Sequence, residues 1–466
     1  MTANRETRPF GLRDKLGYLF GDFGNDFTFL LSSSFLLKFY TDVMGVPAAI
    51  VGTIMMIARF VDAFTDVTVG RLCDRSRIGA AGKFRPWIAR MCIPVAIASF
   101  LIYQSGLAHL PLAFKVGYLF VTYILWGSVF YTAVNIPYGS MASAISDDPG
   151  DRQSLSTFRS VGSLLAGLVV GAGVPMLSYE TVGGNTVLSG PRFTALAGVF
   201  SILAVVCHFL CYALVTERTW PKERGQTQQV GFVQMIRNAL RNRALIAIIA
   251  ASIVNLLASL TLQSMANYVY PNVYHDTNAQ SVATFLTTGG MLLSAAIAKP
   301  LAQRFGKAEI SSAANALAAG ICLLLFALRP RNVWVYVALT AISYFSLGVF
   351  TMVNWALITD VIDHQEILTG VREDGSVYAL YSFARKLGQA ASAGLTGFLL
   401  SAIGYSQETA FEAGVVSGIY SIATLLPAVG FAALALILFF WYPLKKAMVE
   451  SNMLELRKRR EGGENG

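Results

Sequence analysis

Residues 59–77 read RFVDAFTDVTVGRLCDRSR. The first half is an apolar helical run, yet it holds Asp62 and Asp66 four residues apart, with Arg59 just before them. Four residues turn a helix by about 400°, so both carboxylates stand on one face. That face is either the surface of a soluble helix or the inside of a membrane bundle, and the fold class follows from which it is.

The surrounding chain favours the membrane. Its 466 residues are 55% hydrophobic and only 14% charged, with mean hydropathy +0.54, whereas soluble domains carry about 25% charged residues. Apolar runs of about 20 residues, enough to cross a bilayer, recur at 17–40, 48–71, 86–107, 112–137, 158–178, 194–215, 243–268, 281–302, 309–328, 333–357, 376–403 and 419–442. The expectation is an all-α membrane protein with twelve transmembrane helices, its partner being the lipid bilayer.

The net charge of +9 does not imply nucleic acid, because it is not spread evenly. Arg71, Arg75, Arg77, Lys83 and Arg85 follow span 2, and Arg218, Lys222, Arg224, Arg237, Arg241 and Arg243 separate spans 6 and 7. Lys445, Lys446, Arg457, Lys458, Arg459 and Arg460 fill the tail, while the alternate loops hold few basic residues. Basic loops stay on the cytoplasmic side, so both termini and the middle loop are expected there. The start MTANRETRPFGLRDKLG is polar, and no cleavable leader is expected. The five cysteines lie in or beside apolar spans, and the four histidines are scattered. Neither set has metal-ligand spacing, and no cofactor is expected.

The longest central break, 216–242, leaves six spans on each side. The expected organisation is a half at 1–215 carrying a cation site, a middle loop at 216–242, a second half at 243–443 and a basic tail at 444–466. A weak echo links the halves: GRLCDRSRIGAAGKFRPW after span 2 and AKPLAQRFGKAEI after span 8.

Charges inside spans carry most of the functional information, since an Asp at a helix centre costs about 3 kcal/mol to insert. Two close carboxylates resist joint ionisation unless a cation joins them. Asp62 and Asp66 therefore suit a proton or Na⁺, or else structural pairing with Arg59 or Arg71. Span 1 adds Asp26, with Asp22 nearer its start. Span 4 adds Tyr131, Thr132 and Asn135 ahead of Pro137, span 5 adds Arg159, and span 11 adds Ser382, Arg385, Lys386 and Gln389.

FYTDVMG, RFVDAFTDVTVG, GKFRPW, NIPYGS, TDVIDHQEILTGVREDGSVY and SFARKLGQA together resemble the glycoside–pentoside–hexuronide:cation symporters, a family that includes the melibiose and glucuronide carriers. The resemblance covers residues 12–445. It implies the major facilitator superfamily fold of two six-helix halves, with the cation held by Asp62, Asp66, Thr132 and Asn135. The sugar is implied to meet Asp26, Asn25, Tyr131, Asn135, Arg159, Ser382, Arg385 and Lys386. Arg59, Asp151 and Arg152 of loop 4–5, and Asp360, Asp363 and Arg372 of loop 10–11, match a cytoplasmic gate. Three positions depart from the melibiose-carrier pattern: Asn25 replaces a lysine, Asn135 an aspartate and Gly139 a sugar-stacking tryptophan.

Losing the acid at Asn135 and gaining Arg385 raises the cavity potential. That favours an anionic glycoside such as a glucuronide, because arginine grips carboxylate or sulfonate bidentately. The alternatives are a sulfosugar of the sulfoquinovose type and a neutral glycoside or pentoside. The alternative for Arg385 is a pairing with Asp360, Asp363 or Glu373 at the gate. The expected activity is secondary active symport by a monomer, driven by H⁺ or Na⁺. No P-loop occurs. A membrane-embedded enzyme would need a nucleophile–base or metal constellation in the spans, and a sensor would need a signalling domain after the last span; the sequence shows neither.

Overall fold

A computed structural model describes residues 8–76, 78–79, 81–219, 242–370 and 374–463. Most of the expected middle loop, together with Arg372 and Glu373, lies outside the described residues. The chain forms α1 (Leu12–Asp42), α2 (Ala48–Arg75), α3 (Arg85–Ile102), α4 (Leu112–Ile145), α5 (Pro149–Ser178), a hairpin of β1 (Tyr179–Val182) and β2 (Asn185–Leu188), and α6 (Gly190–Leu214). After the middle segment come α7 (Arg243–Val273), α8 (Thr277–Phe305), α9 (Lys307–Leu328), α10 (Val333–Thr369), α11 (Asp374–Ala402), α12 (Ala413–Trp441) and α13 (Lys446–Gly463). Ten of the described helices, α2–α10 and α12, are long and apolar enough to cross a membrane. α1 and α11 are 31 and 29 residues long but carry the charges singled out above.

Two compact units emerge. Unit 1 is Met1–Thr227 with Gly397–Glu412, and unit 2 is Gln228–Thr396 with Ala413–Gly466. In unit 1, α1 packs against α5 and α6, and small residues set the approach, as in membrane helix packing. A Cβ at Gly162 of α5 would lie 2.5 Å from the Leu19 carbonyl oxygen, and one at Gly21 would lie 2.3 Å from the Tyr138 ring. In unit 2, Ile248, Phe350, Leu357, Val361, Leu434 and Leu438 form the buried centre.

The GKFRPW motif has a structural reason. Glu217 lies just past the end of α6, and its carboxylate accepts from the backbone N–H of Lys83 at 2.7 Å, Phe84 at 2.9 Å and Arg85 at 2.7 Å. An anion there satisfies the orphan donors at the start of α3. Gly82, at φ +104°, has no room for a side chain, because a Cβ would stand 2.6 Å from that carboxyl group. Burial pushes the Glu217 carboxyl above its ordinary value, against the pull of the three amides.

FYTDVMG also acquires a role. Lys38, 1% exposed, donates to Asp42 at 2.7 Å and to the Tyr405 hydroxyl at 2.7 Å, and Tyr405 donates to Asp42 at 2.7 Å. The buried ammonium is thus fully paired, as a buried charge must be.

Two boundaries correct the sequence reading. Asp151 and Arg152 are not in a loop: Asp148 caps α5, accepting from the Asp151 N–H at 2.9 Å, and Pro149 opens the helix. This cap-and-proline start suits a helix N-terminus. Likewise Asp360 and Asp363 lie inside α10, which runs to Thr369 and stops at Gly370, φ +74°, where a left-handed glycine ends the helix.

Candidate functional site

The paired aspartates of α2 meet the middle of α4. There α4 loosens into a π segment, Leu125–Tyr131, a distortion that often marks functional sites. Ser128 Oγ donates to Asp62 Oδ1 at 2.5 Å, and Thr132 Oγ1 lies 3.1 Å from both Asp66 Oδ1 and the Gly127 carbonyl oxygen. Asp62 is 8% exposed. Two carboxylates, two hydroxyls and a carbonyl therefore stand together, a hard-oxygen set able to take a proton or a small cation.

Arg59 belongs to this cluster rather than to Asp151 and Arg152. Its Nη1 donates to Asp62 Oδ2 at 3.1 Å, and its guanidinium carbon is 5.3 Å from the Phe29 ring centre. One half of the salt-bridge alternative is thus present, at Asp62. Asn135 lies one turn beyond Thr132 and is half-buried. Ser128 was not singled out in the sequence, where a lone serine in an apolar helix carries no signal.

A second acidic group lies on α1. Arg159 of α5 donates from Nε to Asp22 at 2.9 Å and sits 5.4 Å from the Tyr138 ring. Asp26, one turn further along α1, accepts from Ser163 Oγ. Asp22 and Asp26 share a face of α1, so the sequence spacing alone could not choose between them. Asn25, named above for the sugar, is 2% exposed, and its Oδ1 lies 3.1 Å from His208 Nε2 of α6. Tyr131 stacks with Phe29 at 5.7 Å and packs on Trp126 at 5.5 Å.

Unit 2 carries its own positive groups, on α11. Ser382, Arg385, Lys386 and Gln389 are all half-buried on α11. Tyr378, Ser382, Arg385 and Gln389 recur at helical spacing, so a polar stripe runs down this helix. Among the described residues Arg385 has no carboxylate partner, and its contact is the Trp355 ring at 5.7 Å. Asp360 is engaged elsewhere, by Lys307 at 2.6 and 2.8 Å. Of the other gate candidates, Asp151 accepts from Ser146 at 2.7 Å and Arg152 donates to the Ser146 carbonyl at 2.8 Å. Both therefore serve the start of α5. Asp363 lies three residues after Asp360 on α10.

Comparison with known proteins gives the family. Residues 17–446 match the family described as MFS/sugar transport protein. The chain belongs to it. This is the glycoside–pentoside–hexuronide type of sugar symporter, a multi-pass membrane transporter and not an enzyme. The MFS sugar transporter is 30% identical to the putative sulfoquinovose importer of Salmonella typhimurium over 98% of its own length and 95% of that chain. It is also 30% identical to the glucuronide carrier protein homolog of Escherichia coli, over 96% of each chain. Its fold resembles the crystal structure of a D-xylose–proton symporter, with TM-score 0.65, 14% identity and coverage of 93% and 97% of the two chains.

Proposed function

We propose that this transporter imports an anionic glycoside, a hexuronide or a sulfosugar, by cation-coupled symport. The observation that carries the reading is Arg385: a guanidinium inside a membrane helix, with no carboxylate partner among the described residues, on a stripe shared with Ser382 and Gln389. A cation at that depth is expensive unless something neutralises it, and a carboxylate or sulfonate on the cargo does so with two parallel hydrogen bonds. The two relatives named for sulfoquinovose and glucuronide support the same class.

The coupling ion binds at Asp62 and Asp66 with Ser128 and Thr132, and Asn135 favours H⁺ over Na⁺ because the cluster has one acid fewer. Within unit 2, Ser382, Arg385 and Lys386 recognise the anion of the sugar. Cation and sugar cross together by alternating access, as a monomer, with both termini in the cytoplasm. The test is uptake of labelled phenyl glucuronide and phenyl glucoside into vesicles under imposed proton and Na⁺ gradients. Accumulation of the glucuronide alone is expected. Accumulation of the glucoside alone would overturn the anionic reading and keep the symporter.

A further inference from the structure

Beside Arg385 stands an aromatic wall. Trp355 of α10 and Tyr378 of α11 stack with 5.5 Å between ring centres and 18° between planes, and they remain 43% and 54% exposed. Tyr381 meets the Trp355 ring at 5.4 Å and 70°. Its hydroxyl accepts from Ser252 of α7 at 3.2 Å and from Asn354 of α10. Three helices of unit 2 thus fix the back of the wall.

Exposed aromatics on a membrane helix face either lipid or a water-filled cavity. Here the neighbours decide. Tyr378 shares its stripe with Ser382, Arg385 and Gln389, and Trp355 is the group Arg385 touches. A guanidinium mid-helix does not face hydrocarbon when it can face water, so the wall beside it faces water too. Rigid, anchored aromatics next to a cation match a sugar acid in two ways. The C–H face of the pyranose ring lies on the rings, and the anionic substituent reaches the guanidinium.

We propose that Trp355, backed by Tyr378, is a specificity-determining residue on which the cargo's sugar ring stacks while Arg385 takes its anion. This deepens the proposed function and rests on it. It makes ring and charge joint requirements: open-chain sugar acids and neutral pyranosides are both poorer cargo than a cyclic sugar acid.

The test uses the full chain in vesicles of both orientations. The five native cysteines are buried, so Trp355→Cys can be labelled with a charged, water-soluble methanethiosulfonate, with and without the glycoside the wild type accumulates. Labelling that cargo slows about fivefold or more is expected, as is a KM about tenfold higher in Trp355→Leu with Vmax within about twofold, largely rescued by Trp355→Tyr. A thiol that never reacts faces lipid and overturns the proposal, as does reaction that cargo leaves unchanged or an unaltered KM in Trp355→Leu. A wild type that accumulates no glycoside overturns the proposed function itself. The two failures are therefore distinct.

Discussion

At the scale of single residues, the grouping of Asp62 and Asp66 with hydroxyls of α4 was half legible. Thr132 was tied to the pair through the family resemblance, whereas Asp62 and Asp66 announced themselves because carboxylates in an apolar span are costly and four-residue spacing puts them on one face. Ser128 did not, since helical serines usually bond their own backbone and carry no sign of another use. Its 2.5 Å hydrogen bond to Asp62 makes it testable. Ser128→Ala is expected to raise the cation concentration for half-maximal uptake about tenfold, the worth of one hydrogen bond to a charged group; titrating uptake against cation measures it. An unchanged midpoint would remove Ser128 from the site. Arg385→Gln is expected to cut the preference for glucuronide over glucoside by about tenfold or more, read from competition for uptake. The partner of Arg159 was beyond the sequence, because Asp22 and Asp26 stand on the same helical face and only the packing of α5 against α1 selects Asp22.

At the scale of elements, helix ends moved most. Hydropathy locates the apolar middle of a span, but caps decide where it stops: Asp148 and Pro149 start α5, and Gly370 ends α10. The hairpin β1–β2 was missed because eight strand residues between spans show no hydrophobic periodicity, although the turn Gly183–Gly184, with φ +59° and +85°, is a common hairpin signal. The start of α3 yields a stability prediction. Glu217→Ala leaves three backbone donors without their acceptor and is expected to cost about 1–3 kcal/mol. Glu217→Gln keeps an acceptor and drops a buried charge, so it should cost less. Thermal unfolding in detergent ranks the two, and equal midpoints for both variants and wild type would show that the carboxylate does not hold α3.

At the scale of the whole molecule, composition and the length of the apolar runs pointed to an all-α membrane protein, while the fold family was reached through the resemblance carried by the quoted motifs. The same logic explains why α1 and α11 fall short on apolarity alone: they hold the charges that the transport reading uses. The grouping of Gly397–Glu412 with unit 1 was not legible, because it depends on Tyr405 reaching Lys38 and Asp42, residues more than 360 positions earlier in the chain. The central claim is that Asp62 couples cation to sugar. It is tested most directly by comparing gradient-driven accumulation with energy-independent exchange of labelled glycoside in vesicles bearing Asp62→Cys. Exchange that persists while accumulation vanishes is the predicted result. Accumulation equal to wild type would contradict the account.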